Sequence, residues 1–379
     1  MRILILTVTA GEGHNSMSNA LKAYLNENYP NDEVIVYDMY KEHHKLSGWT
    51  FNGMHFKMLQ YFPHLMRLNY KLTLVGHADK YNNNSVNMGL IAKKEVLALI
   101  NEFKPDAIAT MHTFAAALMN NFRRNKLISE DIKVYTIISD YSPHPDCESN
   151  TVFKYVFTPC EEIHDFLISH KGFNKEQLIP TGIPIHPKFD KDFDVEGFAK
   201  EKGIDTSKFT VFIFSGGMSI GNNHQILKQV SKAKCFKDIN VIIVNGKNKK
   251  VKKKIDKFVE KGKYTNIFNY GFSREVEKFM HISTCMIGKL GGVGVSEAFS
   301  KNLPILVPFK PPFHEYWNML FLDKQKAIKV IDGLKKLSPV IDELYNNPQE
   351  LDELNKNVQR LKKPNATKDM ADLIHKNHE

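Results

Sequence analysis

The feature that most narrows the possible folds is a strand followed at once by a glycine turn and a helix. Residues 2 to 9, RILILTVT, form a continuous, mostly apolar and β-branched run that is too short for a buried helix. AGEGHNS follows, and then a helical pattern through Ala20, Leu21, Tyr24 and Leu25. A strand apolar on both faces must be covered on both faces, which is the condition of a parallel sheet sandwiched by helices. The pattern recurs: VIVYDM (34–39), DAIATM (106–111), KVYTIIS (133–139) and KYVFTP (154–159) read as strands, with helical stretches such as MGLIAKKEVLALINEF (88–103) between them.

Around TGIPIHPKFDKDFD (181–194) the chain turns polar and rich in proline, and each X-Pro step disfavours helix at the residue before it. A linker is expected there. Beyond it the same architecture restarts, with TVFIFSGG (210–217), NVIIVNG (240–246), NIFNYG (266–271), CMIG (285–288) and PILVPF (304–309) as strands. The expected fold is α/β: two Rossmann-like domains, residues 1–189 and 190–345, facing each other across a cleft. A charged helical segment, 346–379, is expected to pack back on the N-terminal domain.

Composition removes other classes. With 42% hydrophobic residues, 21 Gly and 16 Pro in 379, the chain is neither fibrous nor disordered. No apolar run approaches the ~18 residues that a membrane-spanning helix needs. The opening segment reads as a strand rather than a signal peptide, so a cytoplasmic location is expected. Cys147, Cys160, Cys235 and Cys285 show no CxxC spacing, so neither a disulfide framework nor a zinc site is suggested. The net charge of +10 favours anionic partners. Two segments stand out against this background. Residues 45–74 interleave aromatic and basic side chains, which suits either an insertion packed on its own domain or an interfacial surface. Residues 247–263 hold nine lysines, while Val251, Ile255, Phe258 and Val259 keep helical spacing; this pattern is a solvated helix face. If that face binds anything, an anionic membrane surface fits better than nucleic acid, because no aromatic interleaving accompanies it.

Three glycine turns carry the chemistry. In the first, Gly11 and Gly13 let the backbone approach a ligand at a helix start, and His14 stands at its mouth, where an imidazole suits proton abstraction or helix capping. Position 16 is Ser, so the GxGxxG of a dinucleotide site is incomplete, and Asp38 is the sole candidate for a ribose-binding acid after the second strand. The second turn, with Ser215, Gly216 and Gly217, offers hydroxyl and backbone donors to a diphosphate but lacks the GK[ST] of a P-loop. The third lies within GKLGGVGVSEAFSKNLPILVPFKPPFHEYWN (288–318). There Lys289, Gly291 and Gly292 open a helix suited to a leaving diphosphate, Glu297 lies within reach of a ribose, and His314, Glu315 and Asn318 form a polar cluster.

Taken together, these residues resemble the processive diacylglycerol glucosyltransferases and monogalactosyldiacylglycerol synthases, which have the GT-B fold of glycosyltransferase family 28. GEGHNSMSNAL is similar to the family's GxGHxxAAxAL, SDYSPH to TD[YF]xxH, TGIPIHPKF to GIPIxPxF, GGVGVSEA to GGxTxSEA and FHEYWN to GQExxN. The resemblance implies an inverting transfer of a hexose from UDP-glucose or UDP-galactose to diacylglycerol, by a protein attached peripherally to the inner face of the cell membrane. It implies His14 and Asp140 as catalytic, with Gly11, Gly13 and His144 on the acceptor side. Ser215, Gly216, Gly217, Lys289, Gly291, Gly292 and Glu297 would hold the uridine diphosphate, and His314, Glu315 and Asn318 the sugar and adjoining phosphate. No cofactor and no metal are expected, the UDP-sugar being a substrate. Departures from the pattern are Leu290 for proline, Gly294 for threonine, Phe313 for glycine and His314 for glutamine, together with the absence of a tryptophan expected just after His144. Two other readings stay open: a UDP-sugar-binding protein of this fold without transfer activity, and a UDP-sugar epimerase. A dehydrogenase is disfavoured for want of GxGxxG.

Overall fold

A computed structural model describes residues 1–9, 12–41, 92–142, 152–216, 222–311 and 313–377, without the side chains of Glu12, Phe313 and His314. The aromatic and basic stretch 45–74 therefore lies outside the described residues, as do Gly11, His144, Cys147 and Gly217. The chain divides into two compact units. One comprises Met1–Pro187, Pro312–Trp317 and Lys363–Glu379; the other comprises Lys188–Pro311 and Asn318–Lys362.

The first unit is built from β1 (Arg2–Thr7), α1 (Glu12–Asn28), β2 (Glu33–Asp38), α2 (Lys93–Phe103), β3 (Ala107–Thr110), α3 (Thr113–Arg124), β4 (Lys133–Ile137), β5 (Phe153–Phe157), α4 (His164–Lys171) and β6 (Leu178–Ile179). Its six strands run in the order β2-β1-β3-β4-β5-β6, and every described pairing is parallel. Ile3, Leu4, Ile5 and Leu6 are fully buried in succession, as a strand covered on both faces must be.

In the second unit come α5 (Val195–Lys202), β7 (Thr210–Phe214), α6 (Asn223–Val230), β8 (Asn240–Val244), α7 (Lys249–Gly262), β9 (Ile267–Tyr270), α8 (Val276–His281), β10 (Cys285–Gly288), α9 (Gly292–Ser300) and β11 (Ile305–Val307). The rest of the chain forms α10 (Phe313–Lys324), β12 (Ile328–Val330), α11 (Leu337–Asn346), α12 (Pro348–Leu361) and α13 (Ala366–Lys376). Sheet order is β12-β11-β10-β7-β8-β9, again parallel throughout. Two Rossmann-like units of this kind are the GT-B architecture expected from the sequence.

Most strands are shorter than the apolar runs that announced them, because the last residues of those runs leave the ladder for the loops beyond; β10 keeps all four residues of its run. β6 and β12 escaped the sequence reading altogether; at two and three residues they are too short to show a period. The lysine-rich segment is helical as expected, with Ile255 buried and Val251, Phe258 and Val259 packed against the core of the second unit.

The C-terminal helix α13 packs on α1 within the first unit. Tyr29 Oη donates to Asp372 at 2.7 Å, the His375 ring stacks on Tyr29 at 3.9 Å, and His375 Nδ1 lies 3.0 Å from Asp32 Oδ2. Thr367 Oγ1 donates to the Ile185 carbonyl at 2.6 Å and accepts from the Ile185 amide at 3.1 Å. These contacts explain a glycine in the GIPI run. Gly182 has φ +96°, and a Cβ there would meet Lys363 Cβ at 2.4 Å and Ala366 Cβ at 3.0 Å, so only glycine lets this segment pass beneath the start of α13.

Candidate active site

Each sheet reverses its strand order once. In the first unit the chain runs from β1 to β2 and then returns to lay β3 on the other side of β1. In the second it runs outward through β8 and β9 before β10 pairs with the far side of β7. Loops leaving the carboxyl ends of strands at such a reversal diverge and open a crevice, the usual ligand position in an open α/β sheet. The first and third glycine turns, and the second, all leave strands that flank these two points.

At the first reversal, His14 lies in α1 just beyond β1. Its Nδ1 is 2.7 Å from the carbonyl of Met111, the residue that follows β3. A carbonyl oxygen only accepts, so the proton sits on Nδ1 and Nε2 is the basic nitrogen. The ring is therefore oriented by a backbone bond. Beside it, 4.6 Å between centroids and nearly edge-on, is His112. His112 caps α3: its Nδ1 accepts from the Phe114 amide at 3.1 Å, which fixes the opposite tautomer, with the proton on Nε2. The sequence reading missed His112. The signal available was its position directly after an apolar strand, equivalent to the turn before His14. Gly13 lies beside His14 in the first turn of α1. Asp140 stands beyond β4, where it accepts a long 3.4 Å bond from Ser139 Oγ.

Asp38, the candidate ribose-binding acid, is occupied by its own fold. Its carboxylate accepts from the Thr9 amide at 3.3 Å, from the Tyr40 and Lys41 amides at 3.1 Å each, and from Thr9 Oγ1. Asn15 Nδ2 donates to Thr9 Oγ1 at 3.0 Å, tying α1 to the same turn. This acid shapes the turn, and the case against a dinucleotide site gains a geometric reason.

At the second reversal, Gly288 pairs with Phe214, and a Cβ on Gly288 would lie 2.5 Å from the Phe214 carbonyl. Glycine here lets the two strands bring their loops together. Ser215 follows β7, but its hydroxyl donates inward to Asn223 Oδ1 at 2.7 Å. Asn223 donates to Asn245 at 3.2 Å, Asn245 to Asn269 at 2.7 Å, and Asn269 to Asp256 at 2.7 Å. A ladder of amides thus links the ends of β7, β8 and β9, and Ser215 terminates it. Its hydroxyl proton is spent there, and the next residue, Gly216, has φ +78°.

Helix α9 begins at Gly292 with Gly291 as its N-cap, and no side chain caps it. Its first amides carry the positive end of the helix dipole, with half-buried Lys289 just before them. Asn318 is fully buried, and its Nδ2 donates to the Leu290 carbonyl at 2.8 Å. Asn318 therefore acts by holding the turn between Lys289 and Gly291. Leu290, itself fully buried, anchors that turn where the family has proline. At Gly294 a Cβ would meet nothing within 4 Å among the described residues, so the space a threonine would fill is open to them. On α10, Glu315 Oε2 is buried with no hydrogen-bond partner among the described residues. Glu297, on α9, is half-buried. Burial pushes its carboxyl up to about 7, against the lowering effect of Lys188 and together with the raising effect of Glu277. Among the described residues no group of His, Cys, Asp or Glu is arranged to hold a metal ion.

Comparison with known proteins bears on the same regions. Residues 14–185 match the family of monogalactosyldiacylglycerol synthase, and residues 210–373 match the glycosyltransferase family 28 C-terminal domain. The chain belongs to this glycosyltransferase family. The processive diacylglycerol beta-glucosyltransferase of Staphylococcus haemolyticus is 24% identical over 350 residues, covering 91% of this chain and 85% of that protein. Among solved structures, Acinetobacter baumannii MurG superposes with a TM-score of 0.60 at 15% identity, covering 99% of this chain and all of MurG (100%). The UDP-GlcNAc 2-epimerase of Neisseria meningitidis gives the same TM-score of 0.60 at 15% identity, with 100% of both chains covered. At that identity the two structures establish the shared GT-B fold.

Proposed function

We propose that this family member is an inverting glycosyltransferase that moves a hexose from UDP-glucose or UDP-galactose to the free hydroxyl of diacylglycerol, forming a membrane glycolipid. The observation that carries the reading is the difference in chemistry between the two strand reversals. One bears an imidazole with a fixed tautomer, and the other bears an uncapped helix start beside Lys289 and Glu297. The relatives' activity, over most of the chain, supports diacylglycerol as acceptor.

In this reaction His14 Nε2 takes the acceptor's proton as its oxygen attacks the anomeric carbon from the side opposite the diphosphate. The bond from that carbon to the diphosphate oxygen breaks, and the electron pair leaves with UDP. The α9 amides and Lys289 meet the charge that develops there, and the mechanism needs no metal. Glu297 accepts from the ribose hydroxyls. Glu315 Oε2 accepts from a sugar hydroxyl, which would satisfy a buried oxygen that is costly to leave unpaired. Asp140 serves the acceptor side. No helix among the described residues is long and apolar enough to cross a membrane. The net charge of +10 and the lysine face of α7 support peripheral attachment to an anionic bilayer, at the inner face of the cell membrane.

The test is incubation with a panel of UDP-sugars and diacylglycerol-containing vesicles, followed by mass analysis of the lipid. A hexosyl-diacylglycerol with inverted anomeric configuration is expected. Release of free sugar alone, or conversion of the UDP-sugar to its epimer, would overturn the reading.

A further inference from the structure

His14 and His112 follow the two strands that flank the first reversal, β1 and β3. Their rings lie 4.6 Å apart between centroids and are inclined at 68°. Both are half-buried, neither sealed into the core nor fully exposed. One short stretch of backbone sets them both: the Met111 carbonyl accepts from His14 Nδ1, and the nearby Phe114 amide donates to His112 Nδ1. Phe114 also packs edge-on against the His112 ring at 4.6 Å, which limits its rotation. Two neighbouring imidazoles thus have opposite polarity at Nε2, a lone pair on His14 and an N–H on His112. Capping α3 does not call for this. Asn, Asp, Ser and Thr are the usual N-cap residues, and an imidazole adds to the same cap an N–H at the far edge of its ring.

We propose that His112 binds and orients the acceptor, its Nε2–H donating to the oxygen of the same hydroxyl whose proton His14 Nε2 takes. The inference rests on His14 as base and diacylglycerol as acceptor. A hydroxyl has one proton to give and lone pairs with which to receive. An accepting and a donating nitrogen together therefore fix both its place and the direction in which its proton leaves, whereas a single bond to His14 leaves it free to turn. Two hydrogen bonds of ~2.8 Å to one oxygen span up to about 5.6 Å, a separation that rings with centroids 4.6 Å apart can hold. His112 keeps its own proton throughout: it holds the oxygen that attacks, and His14 alone exchanges a proton with it.

The experiment measures transfer from the UDP-sugar to diacylglycerol in vesicles by the full chain, for wild type, His112→Asn, His112→Ala and His14→Ala, with the Tm and UDP affinity of each. Asparagine is a good N-cap but has no N–H where Nε2 stands, so His112→Asn separates capping from acceptor binding. It should keep the wild-type Tm and UDP affinity while raising the acceptor KM roughly five- to tenfold, the worth of one hydrogen bond, with a smaller change in kcat. His112→Ala should show the same rise in KM together with a lowered Tm. A second measurement needs no variant to fold: wild type should bind diacylglycerol more tightly than the analogue carrying hydrogen in place of the free hydroxyl, as read by competition. That preference should shrink in His112→Asn. Wild-type acceptor KM in His112→Asn, or equal binding of the two lipids by wild type, would reduce His112 to a helix cap and overturn the inference while leaving His14 as base. No transfer by the wild type, or near-normal turnover in His14→Ala, would remove the reading on which the inference rests.

Discussion

The two units share an architecture of six parallel strands and one reversal of strand order, yet the groups at their reversals are of opposite kinds. In the first unit the ordering is done by side chains: His14 and His112 are fixed in opposite tautomers by a Met111 carbonyl and a Phe114 amide. In the second it is done by backbone: Gly288 lets two strands close up, α9 starts at Gly292 without a side-chain cap, and Asn318 braces the preceding turn. The acids differ in the same sense. Asp38 is saturated by donors of its own turn, whereas Glu297 is half-buried where desolvation opposes its charge. The fold repeats one reversal of strand order in each unit, and local hydrogen bonding gives the two reversals different chemistry, an oriented imidazole at one and a helix start without a side-chain cap at the other.

The largest expected break in this comparison is His14→Ala, which should lower turnover by roughly 10² or more while leaving UDP affinity intact, as removal of a general base does. Near-normal turnover, measured with saturating donor and acceptor, would take His14 out of the chemistry. Glu297→Gln should weaken UDP binding by roughly tenfold or more at pH 8, since bonds to a charged acceptor exceed those to a neutral amide. Its binding should also lose the decline through about pH 7 that calorimetry should find in the wild type. The sign follows from the direction of the shift: the carboxylate form is populated above that pH and lost below it.

A smaller effect should separate bracing from contact. Asn318→Ala removes a buried bond to the Leu290 carbonyl and should cost about 1–3 kcal/mol of stability, seen as a lowered Tm, with UDP affinity falling in parallel. An unchanged Tm with lost affinity would instead make Asn318 a direct ligand of the donor. Smallest of all, Gly294→Ala fills open space near the start of α9 and should stabilise the protein by about 0.5–1 kcal/mol without loss of UDP binding. Loss of binding would mean that the ligand itself needs the gap.

Much of this was legible in the residues. Continuous apolar runs such as 3–6 and 241–244 require cover on both faces, and that alone dictates a parallel sheet with helices on either side. Glycines after strands marked the turns, and the order of motifs pointed to the family. Position in space was another matter. Nothing local to Asp38 distinguishes it from a ribose-binding acid, because the donors that occupy it include Thr9, which reaches it only once β1 and β2 are paired. Ser215 read as a phosphate donor until the amide ladder across β7, β8 and β9 claimed its hydroxyl.

The sequence by itself determined the fold class, the restart after residue 194 and the glycine turns, since periodicity and backbone freedom are properties of neighbouring residues. Only the tertiary structure decided the tautomer of His14, the packing of His112 beside it, the bracing role of Asn318 and the meeting of Lys188 and Glu277. Each of these depends on groups from 28 to roughly a hundred residues apart in the chain, brought within bonding range by strand order, and hydrogen bonds and charges act over ångströms of space whatever the separation in sequence.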